Sequence, residues 1–182
     1  MALWNKTRPY LLLRLNKRLW RAGLLSLTLL VPGGLAADPL SSELQDPKQI
    51  GSGTFRFLGL PLYDAKLYTP GGAAFNWSED FGLQLTYRKN LKQKALVEST
   101  LEEMARQGNP QPTQAQLEKC FQAVSKGDSY LAISEGPNKV GFWRNGSQTC
   151  TLASNDIKKS FMSIFLGNNT RSASFTQSLK GQ

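Results

Sequence analysis

The chain predicts an α+β domain: a mainly antiparallel sheet with a layer of helices packed on one face. Three observations predict it. Segments of period two and segments of helical period come in the order strands, two helices, strands, two helices. No βαβ alternation interrupts that order, so no parallel crossover is required. Asn145-Gly146, set between short apolar runs, is the strongest hairpin signal in the chain, because both residues tolerate the positive φ of a type I′ turn.

The elements follow in order. Residues 54–58 alternate between flanking glycines and read as the first strand. Residues 62–68 read as its hairpin partner, with Gly59-Leu60-Pro61 at or near the turn and Pro70-Gly71-Gly72 closing it. Residues 81–88 are the cleanest strand, with Phe81, Leu83, Leu85 and Tyr87 on one face. The period then changes. Val97, Leu101, Met104 and Ala105 share one helical face, and Gly108 and Pro110 stop that helix. Thr113-Gln114-Ala115-Gln116 fits a capping box, and Leu117, Cys120, Phe121 and Val124 stripe a second helix that runs to Gly127. Short strands are expected over 129–133, 140–143 and 149–152. Ile157, Phe161, Ile164 and Phe165 mark a third helix, ended by Gly167-Asn168-Asn169, and a short last helix carries Phe175 and Leu179.

Residues 1–37 read as a signal peptide. Six of the 22 basic residues lie there (Lys6, Arg8, Arg14, Lys17, Arg18 and Arg21) and none of the 13 acidic ones. An apolar run from Ala22 to Val31 follows, then Pro32-Gly33-Gly34, then a small-residue cleavage pattern at Gly34-Leu35-Ala36. The alternative is an uncleaved anchor, but a span needs about 20 apolar residues and Arg21 bounds this run. The sequence therefore divides into a signal peptide (1–37), a flexible leader (38–50) rich in Asp, Pro, Ser and Gln, and one domain (51–182). It implies a periplasmic or secreted protein with no stable membrane span after cleavage. It also relocates the charge. The whole chain carries +9, but without the six basic residues of 1–37 the remainder carries +3. A nucleic-acid partner loses its support, and the cluster Arg88-Lys89-Asn90-Leu91-Lys92-Gln93-Lys94 reads as a solvated strand-to-helix corner.

The chain contains no histidine. That excludes Ser-His and Cys-His nucleophile pairs and HExxH-type zinc sites. Two cysteines, Cys120 and Cys150, do not make a structural zinc site either, and no metal or cofactor is expected. Cys120 lies on an apolar stripe, where a small buried residue is the plain reading. A disulfide to Cys150 is the alternative that an oxidising compartment permits. Gly51-Ser52-Gly53 lacks the rest of a phosphate loop and reads as a turn. Glu102-Glu103 point in different directions on a helix and read as a solvated face. Asp128 reads as a turn residue. Arg56, Tyr63, Tyr68 and Tyr87 are the strand residues available to line a pocket. Tyr87 shares the apolar face of its strand, so its hydroxyl needs a partner. Arg56 alternates with Phe55 and Phe57, which points it to solvent, unless both faces of the sheet are covered. In that case it suits an acidic head group.

Five stretches, in order, resemble the bacterial chalcone isomerase-like proteins. They are Gly53-Thr54-Phe55-Arg56-Phe57-Leu58-Gly59-Leu60-Pro61-Leu62-Tyr63-Asp64-Ala65-Lys66-Leu67-Tyr68; Leu85-Thr86-Tyr87-Arg88-Lys89-Asn90-Leu91; Lys126-Gly127-Asp128; Phe142-Trp143-Arg144-Asn145-Gly146; and Phe165-Leu166-Gly167-Asn168-Asn169-Thr170. The resemblance implies a chalcone isomerase-like open-faced β-sandwich with a cleft between sheet and helices. Plant members of the wider superfamily either cyclise chalcones to flavanones or bind fatty acids. The enzymes have a threonine after the phenylalanine of the first stretch, then a tyrosine and an asparagine on the first long helix. Here Leu58, Leu96 and Glu103 stand at those positions, and of the strand-borne catalytic arginine only Arg56 is nearby. The resemblance, taken with the signal-peptide reading, implies an exported, noncatalytic protein that binds a small apolar or fatty-acid-like ligand, for which Arg56, Tyr63, Tyr68 and Tyr87 are the binding candidates. The alternatives are an isomerase or lyase with a rebuilt site using a tyrosine as acid/base, and an envelope scaffold with a filled core.

Overall fold

The computed structural model describes residues 38–182, so the reading of residues 1–37 as an export signal lies outside the described residues. Among the described residues six strands form one sheet: β1 (Pro47–Phe57), β2 (Leu60–Pro70), β3 (Gly82–Tyr87), β4 (Ser129–Ser134), β5 (Lys139–Arg144) and β6 (Ser147–Ala153). Each pairs antiparallel with the next, in sequence order. The helices are α1 (Pro39–Glu43), α2 (Gln93–Arg106), α3 (Gln114–Cys120), α4 (Ile157–Leu166) and α5 (Ala173–Leu179). The α+β class and the antiparallel sheet expected from the sequence are what the structure has.

Pleating decides which residues meet. Tyr63, Ala65 and Leu67 of β2 lie opposite Tyr87, Leu85 and Leu83 of β3, and the face they share carries the main core. Val97 and Met104 of α2, Leu117 of α3, Phe161 of α4 and Phe175 of α5 join that core. Helix α5 lies against β1, and glycine permits it: a Cβ on Gly51 would stand 2.2 Å from the Leu179 carbonyl oxygen. This core lies wholly within residues 38–182, so the domain has what it needs to fold alone.

Several local expectations are corrected. Residues 38–50, read as a flexible leader, include α1 and the start of β1. Asp38 caps α1, its Oδ1 accepting from the Leu40 amide at 3.1 Å, and β1 begins at Pro47. Leu40 and Leu44 pack on Leu131, Ile133 and Trp143, a small second core on the far face of the sheet. Polar composition hid two apolar anchors. The β1–β2 turn is Leu58-Gly59, with φ of 49° and 78°, and Leu60 and Pro61 already belong to β2. Ala105, expected on the buried stripe of α2, is exposed.

The second helix stops at Cys120 rather than near Gly127. Tertiary hydrogen bonds hold the backbone at and beyond its end. Leu91 and Val124 exchange N–H···O bonds of 2.9 Å, the Tyr130 hydroxyl accepts from the Gln122 amide at 2.7 Å, and Gln93 Nε2 donates to the carbonyls of Glu118 and Phe121. The capping box at its start is present, Thr113 and Gln116 each serving the other's amide. Asn145-Gly146 has the positive φ pair of a type I′ turn, 49° and 85°.

Candidate functional site

Between the sheet and helices α2, α4 and α5 lies an apolar cavity of about 290 Å³, at the low end of the ~300–1,000 Å³ of small-molecule sites. Its floor is aromatic. Tyr63 stacks on Phe55 (5.1 Å between centroids) and meets Tyr87, Phe165 and Phe175 edge-on at 6.0–6.3 Å. Strand alternation supplies these rings. Positions 55, 63 and 87 share one sheet face, and the stripes of α4 and α5 bring Phe165 and Phe175 over them.

Two hydroxyls on this floor have no protein partner. Among the described residues neither the Tyr63 nor the Tyr87 hydroxyl has a hydrogen-bond partner, although Tyr87 is only 7% exposed. Neither oxygen is sealed in protein, and both residues line the cavity. Burial pushes both phenols well above their ordinary pKa. The neighbouring Tyr87 and Glu103 add to the effect at Tyr63, and Tyr130 adds to it at Tyr87. Both therefore stay protonated and can donate a hydrogen bond to whatever oxygen enters.

The rim carries charge. Glu103, read from the sequence as solvated, is 5% exposed and lines the cavity. Its carboxylate accepts from Arg106 Nε at 3.1 Å and from Arg106 Nη2, from Arg171 Nε at 2.5 Å and from Gln107 Nε2 at 3.1 Å. Burial works to raise the Glu103 pKa, and the hydrogen bonds from Arg106, Arg171 and Gln107 outweigh it, holding the group below the usual carboxylate range. Arg106 also donates to the Asn169 carbonyl at 2.5 Å, so the cluster ties α2 to the α4–α5 connection over the cavity. Arg171, also on the cavity lining, reaches the exposed Glu102 at 3.5 Å.

Of the four residues assigned to a pocket from sequence, the fold brings Tyr63 and Tyr87 together and leaves two out. Tyr68 lies on the opposite sheet face, its hydroxyl donating to Gln84 Oε1 at 3.3 Å. Arg56 is exposed at the hairpin end, its Nη1 donating to the Gly59 carbonyl at 3.3 Å. Alternation alone carries the reason: Tyr68 is five positions from Tyr63 and Arg56 one from Phe55, odd offsets that reverse the face. Leu96 and Glu103 do line the cavity, whereas Leu58 does not. Cys120 and Cys150 are joined by a disulfide with Cα atoms 4.9 Å apart, linking α3 to β6 away from the cavity lining. Sequence reasoning missed Glu103, Arg106 and Arg171. The spacing of Glu103 and Arg106 at i, i+3 was a readable pairing signal, but nothing local announced Arg171.

No family model matches the chain, and no curated protein matches it in sequence. Among solved structures it is similar to a fatty-acid binding protein of Arabidopsis thaliana, with a TM-score of 0.56 and 11% identity over 75% of this chain and 87% of that one. That neighbour has the chalcone isomerase-like fold, and so does this chain. At this identity the likeness speaks for architecture, and the chemistry rests on the cavity itself.

Proposed function

We propose that the domain is a noncatalytic carrier that holds a fatty-acid-like ligand between sheet and helices. The observation that carries the reading is the pair of tyrosine hydroxyls without partners that open into an apolar cavity. An acyl chain suits the aromatic floor, and a carboxyl oxygen accepting from Tyr63 and Tyr87 gives two hydroxyls that lack a protein partner a charge-assisted acceptor. The fatty-acid binding of the Arabidopsis neighbour supports the ligand class. The raised phenol pKa values argue against the rebuilt-isomerase alternative, since a general acid/base works best near the ambient pH.

Native mass spectrometry of the domain, before and after organic extraction, tests the reading. A bound mass that extraction removes, and that an added fatty acid restores, is the expected result. A domain that purifies empty and takes up no fatty acid refutes it. Tyr63→Phe with Tyr87→Phe lowers the affinity about tenfold or more, the loss expected for charge-assisted hydrogen bonds of ~1.5–3 kcal/mol.

Export belongs to the same proposal. The basic, apolar and small-residue order of residues 1–37 and the Cys120–Cys150 disulfide support a periplasmic or secreted carrier. A mature N-terminus near Asp38 is expected on mass measurement, and an intact residue 1–37 segment on the cell-associated protein refutes cleavage.

A further inference from the structure

The β1–β2 hairpin ends in an apolar tip that the fold does not use. Phe57, Leu58 and Leu60 are 51%, 87% and 64% exposed. Leu58 also holds a φ of 49°, the value Asn145 holds in the other two-residue turn of the sheet. Asparagine tolerates that conformation and leucine does not. Leu58 is thus unfavourable twice over, in backbone strain and in apolar surface left in water. Strain and exposed apolar surface together mark a position kept for contact with something else.

The tip stands at the mouth of the cavity, since Phe57 and Leu62 line it. Basic residues surround it. Arg56 reaches back to the Gly59 carbonyl, and the Arg88 amide donates to the Leu62 carbonyl at 2.9 Å, which sets Arg88-Lys89 beside the hairpin. Lys126 follows at the same end of the sheet, its amide donating to Asn90 Oδ1 at 2.8 Å. The carboxylates nearest the hairpin and the β3–β4 end are taken, Asp64 by Arg88 and Asp128 by Arg144, each at 2.8 Å, and Glu102 and Glu103 on the cavity lining are paired with Arg171. Arg56, Lys89 and Lys126 are exposed and have no ion-pair partner among the described residues. An apolar point inside a basic collar complements a bilayer with anionic headgroups, where phosphate lies above and acyl chains below.

We propose that the β1–β2 tip docks the domain on an anionic lipid bilayer. Leu58 and Leu60 enter the acyl boundary, while Arg56, Lys89 and Lys126 meet headgroup phosphates. The mouth of the cavity then opens at the membrane surface, where an acyl ligand enters or leaves. This last step rests on the carrier reading; the docking does not.

Co-sedimentation of residues 38–182 with vesicles tests it, using phosphatidylglycerol mixed with phosphatidylcholine and phosphatidylcholine alone. The domain is expected to bind the anionic vesicles, more weakly as salt rises, and to bind the neutral ones poorly. Leu58→Asn with Leu60→Thr lowers binding about tenfold or more. Its melting temperature holds or rises, because asparagine suits the turn. Arg56→Gln, Lys89→Gln and Lys126→Gln each weaken binding about fivefold, from ~1 kcal/mol per charge at the surface. No binding to anionic vesicles, equal binding to neutral ones, or full binding by the double-leucine variant overturns the proposal. Titration with a fluorescent fatty acid, without vesicles, separates the two readings. Uptake without vesicle binding sinks the docking alone, and vesicle binding without uptake sinks the carrier alone.

Discussion

Glu103→Gln is the perturbation that tests the site most directly. The carboxylate is buried and holds Arg106, Arg171 and Gln107, so the amide removes charge while keeping volume. Breaking a fully buried pair costs ~3–5 kcal/mol. Arg106 and Arg171 keep side-chain exposures of 34% and 41%, so water resolvates them once the charge is gone. The amide oxygen also retains one acceptor. We therefore expect a loss of about 2 kcal/mol, set by hydrogen bonds to a charged group. In a domain of this size that lowers the melting temperature by about 5 °C. The sign with pH is fixed by the lowered pKa of Glu103. Its contribution is fully present above the ordinary carboxylate value of about 4.3 and is lost as the pH falls through the folded value. Melts of both proteins, followed by circular dichroism at pH 7 and again in acid, are therefore expected to differ at pH 7 and to converge in acid. Equal melting temperatures at pH 7, or a gap that stays constant in acid, refutes the reasoning. Affinity for a fatty acid moves the opposite way and rises, because a negative charge has left the cavity lining.

Three further outcomes are expected. Cys120→Ala with Cys150→Ala removes a crosslink that spans a sequence separation of 30, which on chain-entropy grounds costs about 3–4 kcal/mol. Reductant is expected to lower the wild-type melting temperature and to leave that variant unchanged. Gly51→Ala drives a methyl into the Leu179 carbonyl and displaces α5, at about 1–3 kcal/mol by urea unfolding. Because α5 carries Phe175 over the cavity, ligand affinity falls with it. Thr113→Ala removes the capping box of α3 and costs about 1 kcal/mol in the same assay.

The elements that sequence reading located are those whose cause is local. Alternation at Leu83, Leu85 and Tyr87 sets a strand face wherever that strand lies. Asn145-Gly146 makes its turn from its own φ preferences, and Thr113 with Gln116 caps a helix within four residues. The same alternation already held the answer for Tyr68 and Arg56. Their odd offsets from Tyr63 and Phe55 put them off the cavity face. Leu58-Gly59 escaped because leucine is a poor residue for a positive φ, and local preference points away from the turn it makes.

Composition and periodicity thus sufficed for the α+β class, the antiparallel pairing and the place of Tyr87 on the apolar face of its strand. These depend on residues close in sequence, or on a side chain's face within its own strand. The rest needed partners far along the chain. Glu103 is buried because Arg171, 68 positions away, comes over it. The α3 stripe stops short because Leu91 captures Val124. Leu40 and Leu44 pack on the far face of the sheet because Trp143 offers them a surface. An exposed or a buried carboxylate looks the same in a sequence. Only the packing of distant segments sets its solvation, and with it the charge that borders the cavity.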